Sequence, residues 1–350
     1  MVSTNMDPSS LFSISTQDLA EIVTRSQDDF KQLLTRDIFI LGASGFVGSW
    51  LTESIVYARG EFGMENRVVL VNRNLTKEQK ILESAGCVEI YLADLRESSP
   101  QISENSVVFS GANPARATLN IHNPRLMSDI ILRGTLTLLS HVKGVNCRVV
   151  NLSSGAVYGA MDQSQDCFTE ADADRENRLL PESAYHRAKV DAENILNTQT
   201  SKENQVSHAR LFAFLAPKLP LNEHFAAGNF LRDALDNRPI RVTGDGRTVR
   251  SYQYGTDLVC ALFAIASRGE HRRAYNVGSQ EPITILQLAN KIATRFKVPV
   301  SLESRRDSAD ASNVDRYVPC TTRIENELGV KNNVGLDDLI SRTADWHQHR

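Results

Sequence analysis

The sequence predicts an α/β fold: a doubly wound parallel sheet with a smaller mixed α/β lobe closing over one edge. Three observations carry this expectation. From residue 37 short β-rich runs alternate with amphipathic stretches, and strands that alternate with helices form a parallel sheet covered on both faces. A glycine-rich turn, Gly42-Ala-Ser-Gly45-Phe-Val-Gly48, joins the first run to a helix beginning near Phe46. After about residue 212 the alternation loosens around Pro217, Pro220 and the turn Gly244-Asp245-Gly246.

Taken in order, residues 1–36 form an N-terminal extension. Residues 1–14 are polar and small and are expected to be mobile, whereas Leu19, Ile22, Val23, Phe30, Leu33 and Leu34 follow a single helical stripe. Ser15 and Asp18 are placed to cap that helix, which should pack on the main domain. Strands are expected over Ile38 to Leu41, Arg67 to Val71, Val88 to Leu92, Val107 to Ser110 and Arg148 to Leu152. The helix over 123–143 is apolar almost all round, through Leu126, Met127, Ile130, Ile131, Leu132, Leu136, Leu138, Leu139 and Val142. Such a helix needs cover on two sides. The sheet gives one, and a second copy of the chain is the expected other, with an intramolecular lobe as the alternative. A late amphipathic helix uses Ile285, Leu288, Ala289, Ile292 and Ala293.

Composition removes several function classes. Lys and Arg number 39 against 42 Asp and Glu, a net charge of -3 with no long block of either sign, so nothing calls for nucleic acid or an anionic membrane. The five cysteines, Cys87, Cys147, Cys167, Cys260 and Cys320, are scattered without a Cys-x-x-Cys or Cys/His cluster. They read as free thiols in a reducing cytoplasm, with no metal site. No basic region followed by an apolar stretch opens the chain and no apolar run reaches membrane length. A cytoplasmic protein is expected.

The glycine turn has a chemical reading. Strand, tight turn and helix N-terminus make a cradle for a dinucleotide pyrophosphate, with Gly42, Ser44, Gly45, Phe46, Val47 and Gly48 as its residues. The second strand ends Val71-Asn72-Arg73-Asn74, where an NAD-selective protein would carry a carboxylate for the ribose hydroxyls. An arginine suits a 2′-phosphate, so NADP(H) is favoured over NAD(H). Asp94, followed by Leu95, stands after the third strand, where it can accept from the adenine amine or cap a turn. The dinucleotide-binding domain then spans 37–211 with a returning segment over about 251–279. Residues 212–350 are mainly a substrate-binding lobe over the carboxyl edge, where ligands of open sheets bind.

Tyr185 and Lys189 stand four residues apart and share one helix face, about 6 Å apart along the axis. An ammonium beside a phenol should lower the tyrosine from its ordinary value near ~10 towards neutral pH. Ser154 offers a hydroxyl that can share a substrate proton. Alone, such a pair is far more often an ordinary solvated helix face carrying an aromatic and a charge.

Taken together, the glycine turn, the run Asn151-Leu-Ser153-Ser154-Gly-Ala-Val157-Tyr158-Gly159 and the Tyr185/Lys189 helix resemble the extended short-chain dehydrogenase/reductase family. Within it the chain is similar to the NAD(P)-dependent nucleotide-sugar epimerases and dehydratases. The resemblance covers nearly all of residues 37–347, with later markers at Gly244 to Tyr254, Tyr275 to Gly278 and Asp315-Arg316-Tyr317. It implies a Rossmann sheet and a catalytic set of Ser154, Tyr185 and Lys189. Tyr185 would exchange the proton of a sugar hydroxyl, usually at carbon 4, as hydride passes to or from the nicotinamide. Lys189 would hold the nicotinamide ribose and tune Tyr185, and Ser154 would hydrogen-bond the reacting oxygen. Arg250 and Arg316 would clamp the substrate diphosphate, with Asn229 as a further phosphate contact. A homodimer would form through the helices at about 123–143 and 182–197.

The chain departs from the family pattern at four positions. Dehydratases carry an Asp-Glu pair where this sequence has Gly155 and Ala156. Without those carboxylates a 4,6-dehydratase is not expected, and a decarboxylase would keep the glutamate that Ala156 replaces. Ile131 and Ala213 stand where asparagines are common. An epimerase or a 4-ketoreductase is therefore the leading expectation. A reductase of a lipophilic ketone on the same fold, and a non-catalytic dinucleotide sensor, are the alternatives.

Overall fold

The computed structural model describes residues 11–111, 117–162, 164–174, 183–223, 225–303 and 314–349. The first ten residues of the extension, part of the stretch expected to be mobile, lie outside them. Helix α1, Thr16–Arg25, is capped by Ser15, whose hydroxyl accepts the Asp18 N–H at 3.1 Å. The chain then breaks at Ser26 and restarts as α2, Gln27–Leu33, so the extension holds two helices where the stripe suggested one. The break re-aims the second helix. It sets Phe30 against Phe263, ring centroids 4.6 Å apart, and Asp29 against Arg268 at 2.8 Å. Both helices lie on α9, Gly255–Arg268. Arg25 reaches the buried Asp257 at 2.7 Å, and Arg342 of the last helix pairs with Asp18 and Glu21.

The main sheet contains β1 Asp37–Leu41, β2 Val68–Asn72, β3 Glu89–Leu92, β4 Ser106–Ser110, β5 Cys147–Ser154, β6 Asn204–Leu211 and β9 Ala274–Val277. Its order is β3-β2-β1-β4-β5-β6-β9, and every neighbouring pair is parallel. Chain order reverses between β1 and β4, which opens a crevice at the carboxyl edge. Strand β1 shows why the sheet is covered twice: Ile38 and Ile40 enter one core cluster, Phe39 and Leu41 the other. Helix α3, Phe46–Phe62, and α9 cover the first face, while α6, Pro124–Val142, and α7, Ala184–Gln199, cover the second.

Strand β5 runs two residues further than the β-rich run suggested, so Ser153 and Ser154 lie in the strand itself. A short 3-10 turn over Gly155–Tyr158 follows. Beyond β6 the lobe places α8, Ala226–Leu235, and α10, Ile285–Phe296, beside two small sheets. One pairs β7, Ile240–Thr243, with β11, Val300–Glu303; the other has the order β10-β8-β12, with β8 at Val249–Arg250, β10 at Ile283–Thr284 and β12 at Arg316–Tyr317. Among the described residues no helix is long and apolar enough to cross a membrane.

Candidate active site

A cleft of about 1750 Å³ runs along the carboxyl edge of the main sheet, from the glycine turn to the lobe. Every residue assigned to the dinucleotide from the sequence lines it: Gly42, Ser44, Gly45, Phe46, Val47 and Gly48 in the turn, Asn72 and Arg73 after β2, Asp94 and Leu95 after β3, and Tyr185 and Lys189 on α7. Gly42 has φ +87°, a conformation that L side chains resist. A Cβ at Gly48 would stand 2.4 Å from the Gly42 carbonyl oxygen, so helix and turn approach closely only because no side chain is there. Gly45 begins α3 without a side-chain cap. A helix N-terminus beneath a tight turn fits the pyrophosphate of a dinucleotide.

Asn72 acts through the protein. Its Oδ1 accepts the Ser44 N–H at 2.7 Å, and its amide donates to Gln79, which closes a capping box with Thr76. The side chain fixes the shape of the turn. At the adenosine end the Asp94 carboxylate is gripped by Arg96, with the closest contact at 2.7 Å, and that bond holds its pKa down at about 2. Asp94 also accepts the Arg96 backbone N–H at 3.0 Å, the turn-capping alternative. Arg96 lines the cleft and was missed from the sequence, where only its position two residues after Asp94 hinted at it.

The strand end and helix that carry Ser154, Tyr185 and Lys189 bring the three together in the cleft. Ser183 caps α7, accepting the His186 N–H at 3.3 Å, which starts the helix one residue before Tyr185. Lys189 Nζ donates to the Leu152 carbonyl at 2.8 Å and stands 5.8 Å from the Tyr185 ring centroid. Ser154 Oγ accepts the Ala156 N–H at 3.1 Å and faces the Tyr185 phenol. With a backbone donor already on that oxygen, its own hydrogen is available to the phenol or to a substrate oxygen.

One electrostatic expectation is corrected. The ammonium was expected to lower the Tyr185 pKa, yet burial raises it, with the Ser154 contact opposing. Burial also pulls Lys189 down to about 8, with Glu193 opposing. Both charged forms lose water in the same pocket, and the nearest partner of the ammonium is a carbonyl.

Beneath the site lies a buried network that composition gave no means of finding. Glu193 continues the Tyr185/Lys189 stripe by one more turn, accepts from Ser153 Oγ at 2.5 Å and pairs with Arg210 of β6 at 2.7 Å. Arg210 also donates to the Tyr158 hydroxyl at 3.1 Å, which in turn donates to Asn276 at 2.6 Å. His208, on the same strand, meets Asn151 and Asn197. Burial works against the Glu193 carboxylate, but Arg210, with His208 and the Ser153 hydroxyl, more than offsets it and holds the group down at about 2, and His208 is lowered to about 4 chiefly by burial. Both shifts act in one direction. The unfolded chain takes up the His208 proton near its ordinary 6.5 and the Glu193 proton near 4.5, before the folded protein does. Stability is expected to fall as pH drops from 6.5 towards 2. Urea midpoints at pH 7, 5.5 and 4.5 should decrease in that order, and a flat series would contradict the assignment.

On the substrate side the predicted residues separate. Arg250 lines the cleft, pairs with Asp315 at 2.6 Å and lies over the Tyr317 ring at 5.8 Å. Arg316 is not among the lining residues, whereas Tyr317 is. Neighbouring positions of β12 face opposite ways, so placing Tyr317 inward turns Arg316 outward. Asn229 is also absent from the lining, and its Oδ1 accepts from Arg232 at 3.1 Å.

The likeness to known proteins agrees with this geometry. UDP-glucuronic acid decarboxylase 4 of Arabidopsis thaliana is 26% identical over 300 residues, 85% of this chain and 66% of the relative. UDP-glucuronic acid decarboxylase 1 of Danio rerio is 27% identical over 340 residues, 95% of this chain and 76% of the relative. The chain spans roughly two thirds of the length of several such relatives. Among solved structures, UDP-glucose 4-epimerase of Thermotoga maritima, with UDP-glucose, aligns with a TM-score of 0.73 at 21% identity, over 89% of this chain and 99% of its own. dTDP-glucose 4,6-dehydratase of Bacillus anthracis, in complex with NAD, gives 0.74 at 19% identity, over 90% and 97%. At such identities the structural likeness establishes the fold. The family model described as NAD dependent epimerase/dehydratase matches residues 38–278, glycine turn, Ser154, Tyr185 and Lys189 included, and the chain belongs to that family.

Proposed function

We propose that the protein is a nucleotide-sugar 4-epimerase or 4-ketoreductase. The observation that carries this reading is the convergence of Ser154, Tyr185 and Lys189 in one cleft with the phosphate cradle. A dinucleotide held in that cradle would supply the hydride acceptor and donor. Ser154 orients the reacting oxygen. Tyr185 exchanges the proton: its phenol, favoured by burial, delivers a proton to the hydroxyl that forms as hydride returns to carbon 4, and in the oxidation half of an epimerase cycle its phenolate takes the hydroxyl proton as hydride leaves. With Lys189 at about 8, its ammonium predominates at neutral pH and is placed to hold a ribose hydroxyl.

Two features support the absence of dehydration. Ala156 has no acid to offer. A Cβ at Gly155 would meet Phe212 Cζ at 2.6 Å and the Tyr317 hydroxyl at 2.7 Å, so the room for a carboxylate there is already filled. The reading is tested by incubating the protein with UDP-, dTDP-, GDP- and CDP-sugars and their 4-keto forms, with NADH and NADPH compared. Interconversion of 4-epimers without added dinucleotide indicates an epimerase, and stoichiometric NADPH consumption a reductase. Failure to bind or alter any of them sinks the substrate class. A lipophilic ketone is the second reading, favoured by Ala213 and by the placement of Arg316 and Asn229 off the cleft.

Arg73 lines the cleft and supports NADP(H) as the partner. Arg73→Ser is expected to weaken NADPH binding about tenfold and to leave NADH within about twofold, as a charge-assisted phosphate contact would require. Equal losses for both dinucleotides would contradict it. Leu136 of α6 is 52% exposed, and a homodimer through α6 and α7 would cover it. Sedimentation of wild type and Leu136→Arg checks that arrangement.

A further inference from the structure

One wall of the cleft is a strained turn that the N-terminal extension holds in place. Lys218, Leu219 and Pro220 line the cleft between β6 and α8. Lys218 has φ +71°, a backbone conformation that a residue with a Cβ keeps only where its surroundings fix it. Two side chains of α3 fix this one. The fully buried Trp50 donates its Nε1 hydrogen to the Pro217 carbonyl at 3.0 Å, and Glu53 pairs with Lys218 Nζ at 2.9 Å. Glu53 is 2% exposed, so its carboxylate depends on protein donors. The extension supplies the N–H groups of Ser13 and Ile14, at 2.6 and 2.8 Å, and the Ser13 hydroxyl at 2.5 Å. That hydroxyl also accepts from Lys218 Nζ at 2.8 Å, and the Ser13 carbonyl accepts from Trp346 Nε1 of the last helix at 2.7 Å. Ser13 thereby joins α3, the last helix and the cleft wall at a single residue.

We propose that Lys218 is a positioning residue for substrate binding and that the N-terminal extension, through Ser13 and Glu53, sets it. The carboxylate and the serine hydroxyl hold the lysine head, and the lysine holds the turn. The hold itself stands on the geometry, whereas its effect on a substrate rests on the nucleotide-sugar reading above. Because the ammonium is engaged by Glu53 and Ser13, Lys218 acts through the shape of the wall and not by charge on the ligand. Released from both, residue 218 relaxes towards negative φ, and Leu219 and Pro220 move with it. The displacement cannot be absorbed locally. A Cβ at Gly228 of α8 would stand 2.8 Å from the Pro220 carbonyl oxygen, so the turn and the helix are already in close contact. A shift therefore passes to the start of α8, where Ala226 and Ala227 also line the cleft. The dinucleotide half is insulated from it. Glu53 lies about two turns beyond Gly45 on α3, and the cradle is shaped by Gly42, Gly48 and the Asn72 bond to Ser44.

Three measurements on the full chain test this: hydrogen–deuterium exchange of the peptide covering 214–223, calorimetric affinity for UDP-glucose with dinucleotide present, and NADPH affinity. In Ser13→Ala the turn amides should exchange about tenfold faster and UDP-glucose should bind about three- to tenfold more weakly, with NADPH within about twofold. Ser13→Thr keeps the hydroxyl and should restore both. Lys218→Ala leaves a Cβ at positive φ without its anchor and should weaken UDP-glucose binding about tenfold. Lys218→Gly adopts that φ freely and should stay within about threefold of wild type. Equal losses in Lys218→Ala and Lys218→Gly would assign the lysine to direct charge contact and overturn the positioning role. Wild-type exchange and wild-type affinity in Ser13→Ala would overturn the hold by the extension. If wild type binds no UDP-glucose, the nucleotide-sugar reading fails and the substrate role with it, while the exchange rates still decide whether Ser13 holds the turn.

Discussion

Tyr185→Phe is expected to lower turnover by about 10²–10⁴-fold while dinucleotide affinity stays within about threefold. The substitution removes one oxygen and leaves the ring that packs with the apolar face of α6 and α7. The cradle for the pyrophosphate depends on Gly42, Gly48 and the Asn72 bond to Ser44, none of which touches the phenol. Binding and chemistry should therefore separate. Ser154 and Lys189 remain in the variant, and neither can replace the phenol. The serine hydroxyl is a far weaker acid, and the lysine is directed at the Leu152 carbonyl. Fluorescence titration with NADPH beside single-turnover assays measures both quantities. Turnover within tenfold of wild type would show that Tyr185 does not carry the proton, and the assignment of the site would collapse with it.

How much of this was legible in the sequence depends on the range of the interaction. The glycine turn, the cap at Ser15 and the Tyr185/Lys189 spacing are local, and local geometry is written in residue order. The core faces of β1 follow from alternation alone. The break at Ser26 was hidden, because Phe30 and Asp29 are turned by partners on α9 more than two hundred residues away. Tyr317 was missed for the same reason: attention fell on Arg316, and only the strand's facing, set by its pairing with β8, decides which of the two enters the cleft. The pKa of Tyr185 was misjudged because spacing reveals the charge of a neighbour but not the loss of water around both groups.

Glu193→Ala is expected to cost about 3–5 kcal/mol of stability, because the substitution leaves the Arg210 guanidinium buried without its counter-charge. In a chain of this size that corresponds to a fall in Tm of roughly 4–7 °C. Glu193→Gln should lie between, since the amide can still accept from Ser153 while the charge is gone. The effect reaches the chemistry by two routes. Glu193 ties the third turn of the catalytic stripe to β5 and β6, so its loss frees α7 to shift against Ser154. Its carboxylate is also the charge that raises Lys189 against burial, and without it the lysine falls below about 8. The ammonium fraction at neutral pH then shrinks, and the alkaline limb of turnover should move to lower pH in Glu193→Gln measured well below its melting transition. A purely structural role would lower Tm and leave that limb in place. Coincident limbs in wild type and variant would thus confine Glu193 to holding the helix, whereas a displaced limb ties the buried pair directly to the charge state of Lys189.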